Sequence, residues 1–309
     1  MRGASPWLAR GVKAALMAGI LVLLWRVADG PDAIGRVLSV TPHWAIAALL
    51  VLTLQTVLSA LRWRLTAAQL GIELSRRTAL REYYLSQLFN QALPGGILGD
   101  AGRAVRARAP AGLLPSAQAV LFERLAGQIA LFLVFLVAAI PMLTLPSGFE
   151  VPAWLRGVIL TVLLTGGLAL LVLGRPGLWP TGAERAFRSP FLHALTARDV
   201  RVRQIFLSLG TALCNIVAFA LCAKAVGVTF PALAALVLIP LVLLSMLVPL
   251  TIGGWGLREG VAVIILPLAG MSVGEALATS VVFGLGVAIA SLPGVLAVTR
   301  PASPKAARS

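Results

Sequence analysis

Six stretches of about 20 mostly apolar residues recur along the chain, and nothing else constrains its fold as strongly. They fall at about 10–28, 44–62, 118–141, 156–174, 204–224 and 275–298. Each is long enough to cross the hydrocarbon of a bilayer as a helix. With no water there to bond backbone N–H and C=O groups, only helices and closed barrels are viable. Barrel strands alternate apolar and polar residues over about 10 positions, and these runs do not. Only 12% of the residues are charged, half the roughly 25% of a soluble domain. The expectation is an all-α integral membrane protein, one transmembrane domain over residues 1–309. Trp44 and Trp63 bracket the second stretch, about 28 Å apart along a helix, as an interfacial aromatic belt requires.

The first stretch follows Arg2, Arg10 and Lys13 and lacks a clear A-x-A cleavage site. It reads as a retained span rather than a secretory leader. The formal charge of +15 comes from 26 Lys and Arg against 11 Asp and Glu. With no RNP or zinc-finger pattern and few aromatics to stack on bases, nucleic acid is excluded as a partner. The basic residues instead collect between apolar runs, at 1–13, 62–81, 103–124, 175–203 and 300–308. Cytoplasmic loops carry such an excess. Both termini and the basic loop 175–203 are therefore expected on the cytoplasmic side of a cell inner membrane. Cys214, Cys222, His43 and His193 show neither a disulfide framework nor metal-ligand spacing. No cofactor and no metal are expected.

Two apolar regions, 80–110 and 230–271, are broken by proline and glycine (LPGGILGDAGR and PLTIGGWGLREG). Such breaks free backbone groups that must then line protein or a cavity. Both read as re-entrant or broken helices, the first entering from the cytoplasmic face and the second from the opposite one. A full crossing by 231–249 is the alternative for the second. In each segment nine residues separate a proline from an arginine, Pro94 from Arg103 and Pro249 from Arg258, and Gly99 matches Gly254. Each is followed by an acidic residue opening a long span, Glu123 and Glu275. The halves, about 44–141 and 204–298, are expected to form an inverted repeat, an architecture recurrent in transporters.

Ionisable groups at membrane depth are costly and so mark candidate sites. Asp100 and Arg103 follow the first break on one helical face. Glu123 and Arg124 open a span, Arg258 and Glu259 follow the second break, and Asn90 precedes Pro94. Arginine suits phosphate through its planar fork and permanent charge, and glycine breaks expose backbone N–H groups to anions. The candidate substrate-binding set is Asn90, Pro94, Gly95, Gly96, Gly99, Asp100, Arg103, Glu123, Arg124, Gly253, Gly254, Arg258 and Glu259, with no catalytic residue. Arg103 and Arg258 are expected to share one lipid phosphate near the midplane. The carboxylates either orient those arginines or receive a cationic headgroup. The competing reading makes Asp100–Arg103 and Arg258–Glu259 structural ion pairs and Glu123–Arg124 an interface marker.

The runs LFNQALPGGILGDAGRAVRAR, VLFERLAGQIALF and VPLTIGGWGLREG resemble the flippase-like membrane family named for the transmembrane region of lysylphosphatidylglycerol synthase. The resemblance extends over roughly 40–298. The first family element falls on Asn90, Leu93, Pro94, Gly99, Asp100 and Arg103, with Leu98 where a second glycine is common. The second falls on Glu123 and Arg124. The third falls on Pro249, Gly253, Gly254, Gly256, Arg258 and Glu259. Members that make aminoacyl lipids carry a large soluble carboxyl-terminal domain, whereas this chain ends about ten residues after its last span. The resemblance therefore implies a lipid flippase or transporter for a phospholipid or other anionic lipid-linked substrate, and not an enzyme. An intramembrane lipid-modifying transferase and a noncatalytic partner of a lipid- or glycan-assembly complex are the alternatives. No second carboxylate motif follows Asp100 to bind Mg²⁺, and no Walker A pattern is present. Membrane lipids are the expected partners, with a second copy of the chain or lipid-biosynthesis enzymes as protein partners.

Overall fold

The computed structural model describes residues 30–93, 97–109, 111–144, 151–247 and 254–299, and these are helical throughout with no strand among them. In chain order the helices are α1 (Gly30–Leu38), α2 (Pro42–Gln69), α3 (Arg76–Ala92), α4 (Leu98–Arg106), α5 (Leu113–Thr144) and α6 (Ala153–Gly174). They continue with α7 (Ser189–Thr196), α8 (Arg201–Val226), α9 (Ala232–Leu244), α10 (Leu257–Ile265), α11 (Val273–Ser291) and α12 (Pro293–Thr299). Five are long and apolar enough to cross a membrane: α2, α5, α6, α8, and α11 continued through α12 to Val298. The chain is a multi-pass membrane protein. The predicted first span at 10–28 lies outside the described residues.

Local chemistry sets the helix ends. Pro42 opens α2, where its missing N–H costs nothing. Ser75 caps α3 by accepting from the Thr78 N–H at 3.1 Å. Gly227 ends α8 at φ +100, which favours glycine. Ser272 and Glu275 open α11 with reciprocal side-chain-to-backbone bonds of 3.1 and 2.7 Å.

Helices α2 and α8 run antiparallel. The Thr41 N–H donates to the Ala225 carbonyl at one end (2.9 Å) and the Gln204 amide to Thr66 Oγ1 at the other (2.9 Å). Helix α3 turns back from the end of α2 and packs on it, and α4 returns along α3 to the start of α5. Hairpin α3–α4 thus opens and closes at one end of the bundle. Helices α9 and α10 pack together and lie between the end of α8 and the start of α11, at the opposite end. At nine residues, about 14 Å, α10 is too short to recross the bilayer. Both broken segments therefore fold as pairs of short helices, hairpins in form, and the described part of 231–249 ends at Leu247, with 248–253 outside the described residues.

The partnerships repeat with direction reversed. Helix α2 packs on α3 and α5 while α4 packs on α5; likewise α8 packs on α9 and α11 while α10 packs on α11. The main apolar core, with Phe135, Phe219, Leu238 and Val242, lies among α5, α8, α9 and α11. Helix α6 joins its edge through Leu155 and Ile159, the only residues it buries, as expected of a span facing lipid on most sides.

The basic segment 175–203 folds back under the bundle. Phe187 stacks between Trp179 and Phe191, and Phe122 of α5 meets both Phe187 and Phe191 edge-on. Arg188 donates to the Leu173 and Gly174 carbonyls at 2.7 and 3.0 Å, satisfying the end of α6.

Candidate functional site

Hairpin α3–α4 owes its closeness to one glycine. A Cβ on Gly99 would lie 2.0 Å from the Ser86 carbonyl oxygen. With that contact made, the Gly99 N–H donates to Asn90 Oδ1 at 2.8 Å, and the Asn90 amide donates to Asp100 Oδ2 at 3.1 Å. Ser86 Oγ donates to Asp100 Oδ1 at 2.8 Å. Asp100 is thereby fixed against α3 before any arginine reaches it. Leu98, where the resemblance leads one to expect a second glycine, is 49% exposed, and the hairpin contact is made by Gly99 instead.

Arg103 lies one helical turn on and is 1% exposed. Its Nη2 donates to Asp100 Oδ1 at 2.8 Å and to Glu123 Oε2 at 3.4 Å. Its guanidinium is sandwiched between the Trp63 and Tyr83 rings, 4.5 and 4.6 Å from their centroids. Such cation–π packing holds a charge in a dry place at a lower cost. Arg62 completes the cluster from α2, donating to Glu123 Oε1 at 2.6 Å through Nη2 and at 3.2 Å through Nε. Tyr83 Oη donates to the same oxygen at 3.3 Å. Arg124 reaches Asp100 Oδ2 from the surface, with 45% of its side chain exposed. At the hairpin mouth Glu82 pairs with Arg81 and Arg106.

Five arginines thus face three carboxylates among the described residues of this cluster. Donors are also in excess: Arg62 Nη1 and Arg103 Nε and Nη1 are buried without an acceptor. A buried unsatisfied charged donor is expensive, and an anion with several oxygens would satisfy them.

The structure brings together Asn90, Gly99, Asp100, Arg103, Glu123 and Arg124 from the predicted set. Pro94, Gly95, Gly96 and Gly253 lie outside the described residues, as does Pro249. Sequence reasoning missed Arg62, which had been counted as loop charge, together with Trp63, Tyr83 and Ser86. Trp63 is 1% exposed and supports Arg103 instead of sitting in an interfacial belt. Arg62 does carry a sequence signal. Gln55, Thr56, Ser59, Arg62 and Thr66 recur at helical spacing and put one polar stripe on an otherwise apolar span.

Arg258 and Glu259 form a separate and self-contained cluster. Glu259 Oε1 accepts from Arg258 Nε and Nη2 at 3.1 and 2.5 Å and from Ser280 Oγ at 3.1 Å. Glu259 Oε2 accepts from the Gly256 N–H at 2.6 Å and so caps α10. Gly254 and Gly256, at φ +84 and +92, turn the chain into that cap. Among the described residues one arginine meets one carboxylate here, and no buried nitrogen of Arg258 lacks a partner. The structural ion-pair reading fits this cluster.

A single phosphate shared by Arg103 and Arg258 does not fit. Leu52 of α2 abuts Gly286 of α11. Arg62 lies ten residues beyond that contact on α2, and Ser280, the partner of Arg258, six residues before it on α11. At 1.5 Å per residue the clusters are about 24 Å apart along the bundle. Glu275 likewise is not the counterpart of Glu123: it caps α11 and meets Arg36 of α1 at 3.0 Å. Ser280 faces the hairpin arginine instead, because one turn of α11 beyond the cap is needed to reach it. Ser280→Ala should therefore destabilise the detergent-solubilised protein by about 1 kcal/mol, the worth of one buried hydrogen bond, while Glu275→Ala loses the α11 cap and the pair with Arg36. Thermal unfolding in a background lacking both partners of Ser280, Arg258→Met with Glu259→Leu, checks this: only the Ser280 effect should vanish there.

A family model described as the lysylphosphatidylglycerol synthase TM region matches residues 11–294. A UPF0104 membrane protein of Methanothermobacter thermautotrophicus is 35% identical over 96 residues, which is 31% of this chain and 27% of that protein. The stretch shared with that relative is thus about a quarter of its length. With both broken segments, four of the five described spans and most of the fifth inside the family match, the chain belongs to the family of lysylphosphatidylglycerol synthase transmembrane regions.

Proposed function

We propose that this protein is a lipid flippase or transporter of a cell inner membrane, moving a phospholipid or other anionic lipid-linked substrate, and that it is not an enzyme. The observation that carries the reading is the buried pair Arg62 and Arg103 behind the part-exposed Arg124, with Arg62 Nη1 and Arg103 Nε and Nη1 lacking an acceptor among the described residues. Fork-shaped donors of permanent charge suit a phosphate oxygen pair. The site is closed, and Arg124, the exposed member, is the residue a headgroup would meet first. Displacing Arg124 from Asp100 would free the phosphate's path to Arg103 while the acyl chains stay in lipid. The second hairpin, about 24 Å away, has its own neutral pair and acts as a hinge or closure for the opposite face.

A metal-dependent phosphotransferase fits the donors less well. Asp100 spends one oxygen on Arg103 and the other on Arg124, and two guanidinium partners leave a poor ligand for Mg²⁺.

Arg103→Lys keeps the charge and one ion pair but loses the fork. Movement of acyl-labelled phosphatidylglycerol in reconstituted vesicles, read by quenching of outer-leaflet label, should slow about tenfold, the equivalent of 1.4 kcal/mol. Unchanged movement with Arg103→Lys removes the phosphate site, and release of a modified lipid would restore the transferase alternative.

A further inference from the structure

The proposed reading leaves the headgroup unspecified, and the way this cluster uses its carboxylates narrows it. Each carboxylate is held on both oxygens by different arginines. Asp100 meets Arg103 and Arg124, Glu123 meets Arg62 and Arg103, and Glu82 meets Arg81 and Arg106. Asp100 also accepts from Ser86 and Asn90, and Glu123 from Tyr83. Elsewhere in the bundle Glu259 is filled by Arg258, Ser280 and Gly256, and Glu275 by Arg36 and Ser272. Among the described residues no carboxylate within the bundle remains to receive an ammonium group. The surplus of arginines repels one.

The groups next to the arginines are of another kind. One turn below Arg62 on α2, Ser59 Oγ accepts from the Gln55 amide at 3.2 Å. Thr56 Oγ1, one turn further, lies 3.1 Å from Gln87 Oε1 on α3. Gln87 follows Tyr83 by one turn and precedes Gln91 by another. Gln55, Gln87 and Gln91 are half-buried, and the Gln91 side-chain oxygen is buried with no donor. These residues form a ladder of neutral donors and acceptors about 5–14 Å from the arginines, running from them toward mid-depth. An apolar contact between two spans does not need such a ladder, and it matches the hydrogen-bonding pattern of a polyol.

We infer that the transported lipid carries a phosphodiester bearing a neutral, hydroxyl-rich group such as glycerol or a sugar, not an aminoacyl or other cationic headgroup, with its hydroxyls received by Gln55, Gln87 and Gln91. The inference rests on the phosphate site proposed above. It places the phosphate at Arg103 and Arg62 and the hydroxyls one to three turns deeper.

Calorimetric titration of the full chain in nonionic detergent tests it with dioctanoyl lipids that differ only beyond the phosphate. Phosphatidylglycerol should bind about fivefold or more tighter than phosphatidylmethanol, the value of one additional hydrogen bond. Phosphatidylethanolamine and lysyl-phosphatidylglycerol should bind more weakly than phosphatidylmethanol. Gln87→Leu should erase the glycerol advantage and leave phosphatidylmethanol binding as it was. Glycerol 3-phosphate should bind far more weakly than the lipid; equal binding would point to a soluble ligand. Preference for either cationic lipid, or an unchanged glycerol advantage in Gln87→Leu, overturns the inference, and in the second case a lowered unfolding temperature alone marks the ladder as helix packing. If Arg103→Lys leaves phosphatidylmethanol binding intact, the phosphate site itself has failed.

Discussion

Glu123→Gln should destabilise the protein by about 3–5 kcal/mol, the cost of removing one partner from a buried ion pair. Glu123 is 0% exposed and neutralises two arginines from different elements, Arg62 on α2 and Arg103 on α4. Glutamine keeps the shape and one acceptor but leaves Arg103 with Asp100 as its one carboxylate and Arg62 with none among the described residues. In the dry contact between α2, α4 and α5 that charge cannot find water without opening the hairpin. Unfolding in detergent, followed by heat or by graded denaturant, should show the loss. Arg62→Met in the same chain should recover most of it, since one arginine then again faces one carboxylate. Arg124→Ala, by contrast, should cost at most about 1 kcal/mol, as is usual for an exposed pair. If Glu123→Gln matched Arg124→Ala, Glu123 would be no more than an interface residue and the cluster would not be the lock of the hairpin.

Why Arg62 escaped a reading of the sequence that found Asp100, Arg103 and Glu123 is a matter of where a helix stops. Hydropathy places the end of the second span near residue 62, where arginine first appears, and an arginine at a span end reads as loop charge. The helix in fact continues to Gln69, so Arg62 and Trp63 face a neighbour and not water. The two hairpins were legible because proline and glycine interrupt apolar sequence there, and backbone freed at membrane depth has few options. Their opposite orientation followed from the basic clusters on either side of 80–110. Spacing was a poorer guide to partners: Glu275 stands at about the same distance after its break as Glu123, yet spends itself on capping α11 and on Arg36. Sequence spacing measures distance along a helix but not which face turns inward. The 24 Å gap between the two arginine clusters was invisible for the same reason, since it depends on which turn of α2 meets Gly286.

Two glycines three residues apart in α4 offer the sharpest test of what closes the hairpin. Gly99→Ala should destabilise by about 3 kcal/mol, the upper part of the range for overpacking, and should abolish lipid movement. The added methyl would sit 2.0 Å from the Ser86 carbonyl oxygen and 2.8 Å from its carbonyl carbon. These are backbone atoms of a helix, so α4 as a whole has to retreat from α3 to make room. Retreat breaks the bond from Gly99 N–H to Asn90 and those from Ser86 and Asn90 to Asp100, and Asp100 carries Arg103 with it. Gly102→Ala adds the same methyl to the same helix but meets only the end of the Arg106 side chain, at 2.9 Å. That flexible guanidinium can swing aside, and alanine gains about 0.5–1 kcal/mol over glycine within a helix. Gly102→Ala should therefore be neutral or slightly stabilising, with lipid movement retained. Intrinsic helix propensity predicts the same sign for both substitutions, whereas the hairpin contact predicts opposite signs. Equal unfolding temperatures for the two variants would mean that the close approach of α4 to Ser86 is not what holds Asp100 and Arg103 in place.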